Sequence, residues 1–463
     1  MKNLLLFIAS LLFSTLFYKQ NIGLNMLLFS IITTILIAIL NFNAFKKKAT
    51  LLHTSLFVFT AFLVFKLPSN LTIFTAITSF ILLVGAISES KSAIYVKYLN
   101  GLYSTIVAVF AHYFDQINKE VEQVKKRKMD YIFWLKIIGI PILVLILFIF
   151  LYQKANPVFD DIITQIDLSF INLQWVLFTA LGYYLLYNIS NPISIEPITT
   201  TDLHANNTLD KENVKKVSDK KITSEFQLGL ILLILLNILI SFLLITDYIY
   251  LNSDINLDAV SFSERVHQGI YALIISIIFA IALIIYFFRG NLNFYQKNKP
   301  LKITTYIWIL LNIVLIFTTA LKNHMYIAEY GYTYKRIGVY VYLILALIGL
   351  IFTFIKVLKI KNMVYLFRKN TQISFGILIM ASTINWDAFI TNYNLHQLKN
   401  NYTDMPYLIH LSNNASTLKI YKDNNSNMLN LHSTEIEKKH NRFIKKLITN
   451  SWQEKVYANF KKH

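Results

Sequence analysis

The stretch FQLGLILLILLNILISFLLITDYIY, residues 226–250, contains a single charged side chain, Asp247. A helix rises about 1.5 Å per residue, so about twenty apolar residues cross a hydrocarbon core of roughly 30 Å. Lipid offers the backbone no hydrogen bonds, and a spanning segment must therefore satisfy its own N–H and C=O groups. The stretch predicts a transmembrane helix and, with it, an integral membrane protein.

Similar apolar runs recur along the chain. Its 463 residues are 55% hydrophobic, with a mean hydropathy of +0.50, whereas soluble domains are about 45–50% apolar. The runs predict an all-α integral membrane protein with about eleven transmembrane helices and a small, mostly helical extracytoplasmic C-terminal segment. The predicted spans are 4–18, 24–44, 50–66, 70–88, 132–152, 169–189, 226–250, 268–288, 303–321, 337–356 and 371–385.

Basic residues lie between these runs and determine the predicted orientation. The formal net charge is +19, and Lys and Arg are enriched in loops that face the cytoplasm and its anionic lipid. The charge therefore indicates a membrane surface as the partner and not nucleic acid. The orientation that places these basic loops in the cytoplasm has a cytoplasmic N-terminus and an extracytoplasmic C-terminus. The predicted cytoplasmic segments are 46–48, 125–128, 190–225, 289–302 and 356–369.

The stretch 98–114 is apolar but is followed by the basic run KEVEQVKKRKMD. Counting it as a span would place that run and Lys46–Lys48 on opposite sides of the membrane. We therefore interpret 98–130 as a re-entrant or interfacial segment that leads into a cytoplasmic amphipathic helix.

Processing signals and cofactor motifs are few. The opening MKNLLLFIASLLFSTLFY resembles a signal peptide in charge and hydropathy, but it has no clear small-residue cleavage site and another span follows it. We predict an uncleaved first span. The chain has no cysteine, which excludes disulfides, thiolate metal ligands and a cysteine nucleophile. Phosphate-binding Gly-rich loops, H-E-x-x-H and G-x-S-x-G are absent. The sequence thus predicts no cofactor and no catalytic residue, and favours a protein that is not an enzyme.

Composition divides the chain into three parts. Residues 1–130 form an N-terminal membrane segment that ends in a basic cytoplasmic stretch, and 131–385 form a membrane core. The core is interrupted by a polar cytoplasmic linker, 190–225, which we expect to be disordered. Residues 386–463 form the extracytoplasmic segment, whose last part reads as a basic amphipathic helix. That helix favours a cap packed on the chain's own membrane part, with docking of a partner as the alternative.

Mixed charges and phenols gather in the loops predicted to lie outside. The stretch MYIAEYGYTYKRIGVYVY, residues 325–342, carries Glu329, Lys335 and Arg336 among six tyrosines. The tyrosines fit an aromatic belt at the headgroup layer as well as a pocket. Glu329 and Arg336 fit a salt bridge that pins the loop, or a clamp for a carboxylate or phosphate ligand. The candidate ligand-binding residues are Glu329, Tyr330, Arg336, Asp387, Asn394, Asp160, Glu264 and His267.

Polar residues near or within the spans have simpler explanations. Glu264 and His267 share a helix face, but di-iron bundles need such a pair from each of two helices. We therefore predict no metal site. Asn237 and Asn312 lie in mid-span, where hydrogen bonding between helices is favoured over a functional role.

Three motifs in the second half of the chain resemble a known family. They are similar to the patterns SALRRLxLYxxAYGLTRLRVY, NPDAFIARYNL and DLxYLxxLSxDAxPAL, in that order. These belong to an uncharacterised family of bacterial multi-pass inner-membrane proteins, domain of unknown function 4153, to which 4173 is related. The resemblance covers roughly residues 150–460. It implies membership of this family but no biochemical mechanism. The motifs read ALKNHMYIAEYGYTYKRIGVYVY (320–342), INWDAFITNYNL (384–395) and DMPYLIHLSNNASTL (404–418).

This chain departs from the family patterns at four positions. Tyr334 and Asn392 stand where the patterns have Arg, Trp386 replaces Pro, and Asn414 replaces an acid. If the lost charges pair in the family, Asn392 and Asn414 form a neutral counterpart of that ion pair.

Three classes of function remain open. The first is a transporter or ligand-binding permease with an outer polar site for a small ligand or ion. The second is a sensory or envelope-assembly protein that docks an envelope partner through its C-terminal segment. The third, least supported class is a membrane-embedded enzyme that uses acid–base chemistry. Its candidate groups are Asp160, Asp161, Glu264, His267, Glu329 and Asp387.

Overall fold

The computed structural model describes residues 2–122, 140–159, 172–214, 217–252, 259–396, 404–424 and 432–460. Regular structure in these residues is helical, apart from one isolated β-bridge between Thr208 and Lys361. The helices are α1 Lys2–Phe17, α2 Leu24–Leu40, α3 Phe42–Phe45, α4 Lys48–Lys66, α5 Asn70–Ser88, α6 Ile94–Glu122, α7 Ile140–Ala155, α8 Leu173–Ser190, α9 Glu196–His204, α10 Asp219–Asn252, α11 Ala259–Phe287, α12 Lys299–Tyr330, α13 Tyr334–Leu358, α14 Met363–Ser382, α15 Trp386–His396, α16 Met405–His410, α17 Ala415–Asn424 and α18 Ser433–Thr449.

Among the described residues, six helices are long and apolar enough to cross a membrane. They are α4, α5, α10, α12, α13 and the first part of α6, residues 94–111. α14 and α15 together form a seventh candidate, bent by 62°. α1, α2 and the 272–287 part of α11 are apolar but shorter. The chain is therefore an all-α membrane protein, as predicted. These helices do not support the predicted count of eleven spans.

The interpretation of 98–114 as a re-entrant or interfacial segment is corrected by α6. This helix runs without a break from Ile94 and packs antiparallel against α5. A Cβ added at Gly85 would collide with the backbone of Lys97, and one added at Gly101 would collide with that of Ile81. Small residues that let helix backbones touch are typical of packing in membranes. The prediction gave the basic run that follows this apolar stretch more weight than the hydropathy of the stretch. Residues 125–128 of that run lie outside the described part.

The long helices pack as two bundles. The N-terminal bundle comprises α1, α2, α4, α5, α6 and α8, with Phe57 and Leu83 fully buried in it. The C-terminal bundle comprises α10 to α13, with Leu233 and Ile284 fully buried. α14 packs against α13 on one side and against α4, α5 and α6 on the other. α14 is thus the main helical contact between the two bundles.

One end of both bundles, which we call the basic end, gathers the loops rich in lysine. Lys2 Nζ donates to Asn191 Oδ1 at 2.5 Å there, so the start of α1 lies beside the end of α8. Arg368, near the start of α14, pairs with Asp202 at 3.1 Å. The loops at this end are 41–48, 89–93, 191–214, 288–298 and 359–362.

The opposite end, which we call the motif end, carries the turn 331–333 and the described residues of 384–396, 404–424 and 432–460. Asn413 Nδ2 donates to Pro68 O at 3.3 Å, which brings the loop after α4 to the same end. The stretch 450–456, which contains a turn at 452–454, contacts the turn between α1 and α2. Leu24 N donates to Lys455 O, and Asn25 N donates to Gln453 O, both at 2.8 Å.

The segment predicted to be a disordered linker is folded where the structure describes it, so that expectation is wrong for 191–214. It contains α9, and Asp202 on that helix accepts hydrogen bonds from Ala93 N at 2.7 Å and Tyr95 Oη at 2.9 Å. Asn100 Nδ2 donates to Thr199 Oγ1 at 3.0 Å. The segment has too few apolar side chains to be fixed by hydrophobic burial. Hydrogen bonds to the N-terminal bundle fix it instead.

Two polar contacts tie α10 to α12. Asn237 Nδ2 donates to Thr304 O at 3.0 Å, which confirms the predicted role between helices. Asp247 is buried and pairs with Lys322 at 2.6 Å. Asn312, by contrast, donates to Trp308 O within its own helix.

The C-terminal helices form a small cap at the motif end. Its core contains Ile390, Leu408, Leu418 and Ile436, all fully buried, and it packs on Ile337 of α13. The described part of the cap is mostly helical, and the apolar side chains of its short helices meet over one end of the bundle.

Candidate functional site

A single glycine shapes the turn between α12 and α13. Gly331 has φ +75° and ψ −179°, a conformation that other residues rarely adopt. The side chain of Thr333 then caps α13 by accepting from Arg336 N at 3.4 Å. An ideal Cβ at Gly331 would lie 2.5 Å from Asn394 Oδ1. Glycine is therefore required both by the backbone and by its neighbour.

Asn394 of α15 binds this turn with both ends of its amide. Its Oδ1 accepts from Tyr332 N at 2.6 Å, and its Nδ2 donates to Tyr332 O at 2.9 Å. The Tyr332 ring packs edge-on to Tyr393, with centroids 4.5 Å apart. Asn394 is buried, so its amide replaces water for the exposed polar groups of the turn. This residue fixes the cap to the end of the bundle.

Arg336 lies beneath the same turn. Its guanidinium donates to Tyr330 O at 2.8 Å and to Gly331 O, which are carbonyls at the C-terminal end of α12. The guanidinium carbon lies 4.0 Å from the centroid of the Tyr326 ring. A cation at a helix C-terminus is favoured by the helix dipole, and an Arg over a phenol by cation–π attraction. Arg336 therefore holds the turn together.

The predicted salt bridge between Glu329 and Arg336 is wrong, while their role as a clamp for a ligand stays a prediction. Glu329 is exposed, and no ion pair or hydrogen bond joins it to any described residue. Arg336 is only 8% exposed and is turned toward carbonyls instead.

Asp387, in the first turn of α15, is the acidic residue of the motif end that is buried. Its Oδ1 accepts from Tyr334 Oη at 2.6 Å, and its Oδ2 accepts from Asn413 N at 2.7 Å. Tyr334 N donates in turn to Tyr407 Oη at 3.0 Å. Burial raises the pKa of Tyr407, so this phenol stays protonated. The Tyr that departs from the family pattern at 334 is thus the residue that binds Asp387.

Asn414 and Lys439 form a second polar cluster within the cap. Lys439 Nζ donates to Asn414 Oδ1 at 2.5 Å, to Ile409 O at 2.8 Å and to Leu411 O. Burial lowers the pKa of Lys439 to about 8, and Asp387 opposes that shift. The surrounding oxygens only accept hydrogen bonds, so we assign the charged form at neutral pH. Asn392 is exposed, which is inconsistent with a neutral pair between Asn392 and Asn414.

A cleft of about 710 Å³ opens at the motif end between the two bundles. Its walls come from the start of α5, from α13 and α14, and from the cap. The deeper wall is mostly apolar, with Ser374 as a polar exception, and most polar groups lie at the outer wall beside Leu67, Pro68, Ile384, Trp386 and Leu411. The apolar residues of the deeper wall are Leu71, Ile73, Ile337, Val341, Leu345, Ile377, Leu378 and Ala381; the polar residues of the outer wall are Ser69, Asn70, Tyr334, Asn385, Asp387, His410, Ser412 and Asn413.

A smaller cleft of about 430 Å³ adjoins the first, because Pro68, Ser412 and Asn413 line both. It lies beneath α18 and carries three cations. Only one carboxylate, Glu454, lines it among the described residues, and that carboxylate accepts from Asn21 N at 2.6 Å. The cations are Lys439, Arg442 and Lys446.

The candidate residues from the sequence therefore separate into different places. Asp387 lines the large cleft. Tyr330, Arg336 and Asn394 belong to the turn, and Glu329 lies on the surface. Asp160 lies outside the described residues, as do the side chains of Glu264 and His267 in the first turns of α11. The cleft is also lined by residues outside the predicted candidates, although all four stand in the quoted motifs: Tyr334, His410, Ser412 and Asn413.

No three His, Cys, Asp or Glu side chains of the described residues are placed to share a metal ion. The family model of a domain of unknown function, DUF4153, matches residues 5–418. The chain belongs to the DUF4153 family. The match confirms the resemblance of the three motifs and extends it through the N-terminal bundle of this DUF4153 protein, which had seemed to add only hydropathy. α18 lies beyond the matched residues. No curated protein and no solved structure matches the chain.

Proposed function

We propose that this DUF4153 protein binds an amphiphile in the large cleft at the motif end. The observation that supports the proposal is the change of the walls from apolar to polar over one continuous cleft of about 710 Å³. Ligand sites have volumes of roughly 300–1,000 Å³, with apolar walls and a few oriented polar groups. Alkyl chains suit Val341 and Ile377, and a polar head suits Tyr334, Asp387 and Asn413.

The basic cleft under α18 favours an anionic head. Its cations lie next to the polar rim, and Asp387 at that rim is already bonded to two donors. Arg442 and Lys446 supply the charge that such a head needs. A fatty acid or a phosphorylated lipid has the required combination of chain and anion.

The chain is proposed to act as a transporter-like protein of the bacterial inner membrane. The cleft lies between two bundles, which is where many transporters hold their substrate. The lysines at the basic end favour a cytoplasmic position for that end, and an extracytoplasmic position for the motif end and the C-terminus. In this orientation the membrane core 131–385 and the extracytoplasmic segment 386–463 keep their proposed roles, whereas α6 directs the end of 1–130 away from the cytoplasm. A reporter fused after His463 that is active only in the cytosol would contradict the orientation.

The cleft is tested with a pair of matched glycine variants. A Cβ at Gly338 meets nothing within 4 Å and points into space that the cleft occupies, so Gly338→Leu fills the cleft. Gly376→Leu, on α14 away from this cleft, is the control. The thermal shift of purified protein is measured with fatty acids, lysophospholipids, sugars and simple salts. Ligand at 100 times its Kd stabilises the wild type by about 2.7 kcal/mol.

We expect an anionic amphiphile to stabilise the wild type and Gly376→Leu clearly more than it stabilises Gly338→Leu. Stabilisation by sugars or salts alone would exclude an amphiphile. An equal shift in all three proteins would place the ligand elsewhere.

A second candidate function, docking of an envelope partner, is favoured by the apolar surface at the end of the chain. Ile448 is 78% exposed and Phe460 is 61% exposed. Large exposed apolar side chains mark contacts with a membrane or with another protein. A photo-crosslinker at Ile448 distinguishes the two, because a partner gives a protein adduct and the bilayer gives only lipid adducts.

A further inference from the structure

A third cleft, of about 620 Å³, opens at the basic end and uses other residues of α14 than the proposed amphiphile site does. Its walls come from the first turns of α4 and α6, from α14, and from Asn207 in the segment before α10. The family motifs contribute nothing to it. It is a separate site with its own chemistry.

The charge of this cleft is positive. Four cations line it, and none of the described lining residues is acidic. Arg368 is already engaged, since its Nε pairs with Asp202 at 3.1 Å and its Nη1 donates to Asn207 Oδ1 at 2.8 Å. The other three cations have no ion pair with a described residue. They are Lys91, Lys97 and Lys369.

Two of the lining groups are buried without a partner. Lys97 is 6% exposed and makes no hydrogen bond or ion pair with any described residue. His53 is 4% exposed, and its Nδ1 has no hydrogen-bond partner within the described part. The carboxylates of Glu89 and Asp202 attract the Lys97 ammonium, but neither lies within ion-pair distance of it. The ammonium is therefore open to a further anion that enters the cleft.

The remaining wall is apolar and faces the bilayer. Phe375 and Ile379 of α14 oppose Leu56 of α4, and Leu52, in the same wall, is 59% exposed. Gly376 leaves the space between the helices open, since a Cβ there would meet nothing within 4 Å. Alkyl chains from the surrounding lipid can therefore reach the cations.

We propose that the basic-end cleft binds the phosphate of an anionic phospholipid. The phosphate lies against Lys97 and His53, and Lys91 and Lys369 flank it at the entrance. The acyl chains lie over Leu52, Leu56 and Phe375. This proposal is independent of the amphiphile site at the motif end, because the two clefts share no lining residue.

The experiment is native mass spectrometry of the full chain released from detergent, with phosphatidylglycerol, phosphatidylcholine or inorganic phosphate added. Two variants probe the cleft: the double variant Lys97→Gln with Lys369→Gln removes charge, and Gly376→Leu fills the space without changing charge. Lys359→Gln, an exposed lysine at the same end that does not line the cleft, is the charge control. Gly338→Leu is the background of every variant, because it fills the motif-end cleft and leaves the lipid at the basic end as the one that is counted.

Phosphatidylglycerol should bind the Gly338→Leu background, with or without Lys359→Gln, at least tenfold more tightly than phosphatidylcholine. The double Gln variant should lose roughly thirtyfold in affinity for phosphatidylglycerol, and Gly376→Leu should lose the lipid altogether. Equal retention of both lipids, or full binding to Gly376→Leu, would overturn the proposal. Displacement of the lipid by millimolar inorganic phosphate would assign the cleft to soluble phosphorylated ligands and overturn the lipid assignment.

Discussion

Replacing Gly331 with alanine tests how the motif end is held together. The backbone conformation at φ +75° and ψ −179° costs a residue with a Cβ about 1–3 kcal/mol. The added Cβ would also lie 2.5 Å from Asn394 Oδ1, so the amide must move and lose both bonds to Tyr332. Two buried hydrogen bonds are worth about 0.5–1.5 kcal/mol each. We expect Gly331→Ala to lower the free energy of unfolding by about 2–6 kcal/mol.

The assay is steric trapping of the purified protein in bicelles, which gives a free energy of unfolding without heating. Gly338→Ala is the matched control, because its Cβ meets nothing within 4 Å and a helical Gly→Ala change stabilises by up to about 1 kcal/mol. In an Asn394→Ala background the collision disappears, and Gly331→Ala should cost only the backbone share, about 1–3 kcal/mol. Equal stability of the Gly331→Ala and Gly338→Ala proteins would refute the reasoning.

Three further substitutions have defined outcomes. Arg336→Lys should lower the apparent melting temperature, because an ammonium loses the planar stack on a phenol, worth about 0.5–2 kcal/mol; an unchanged value would show that the stack contributes nothing. Asp202→Asn should weaken its charged bond to Arg368, worth about 1.5–3 kcal/mol, and so speed limited proteolysis within 191–214; an unaltered cleavage rate would argue against this anchor. Lys439→Met should leave buried acceptor oxygens unpaired, at a cost of about 1–3 kcal/mol, and so raise the rate of amide hydrogen exchange in the cap. Lys438→Met, at the exposed neighbouring position, should not raise it. Identical exchange rates in the two variants would show that Lys439 does not stabilise the cap.

Hydropathy alone predicted most of the long helices. The run 226–250 lies within α10, and the run 70–88 coincides with α5, because an apolar run of this length has one solution in lipid. The α6 helix was misjudged because its apolar part adjoins a basic run, and loop charge was given more weight than hydropathy. The helices α1 and α2 show a different difficulty. Their predicted spans were 4–18 and 24–44, whereas the helices are Lys2–Phe17 and Leu24–Leu40, because hydropathy does not mark where a helix begins and ends.

The contacts of the site could not be read from the sequence, because they depend on which helix faces which. Glu329 and Arg336 are seven residues apart and of opposite charge, yet they belong to different helices and form no ion pair with each other. Asn394 meets Tyr332 only because the cap folds back over the turn. Asp387 was found from its motif, but its donors Tyr334 and Asn413 required the packing of α13, α15 and the cap.

The pairing of residues 450–456 with the turn before α2 joins parts of the chain that are synthesised far apart in time. Leu24 is made more than four hundred residues before its hydrogen-bond acceptor on Lys455. The N-terminal bundle must therefore enter the bilayer with that turn unpaired. Folding of this protein includes a late closing step, and until it occurs the turn between α1 and α2 is open to proteases and chaperones.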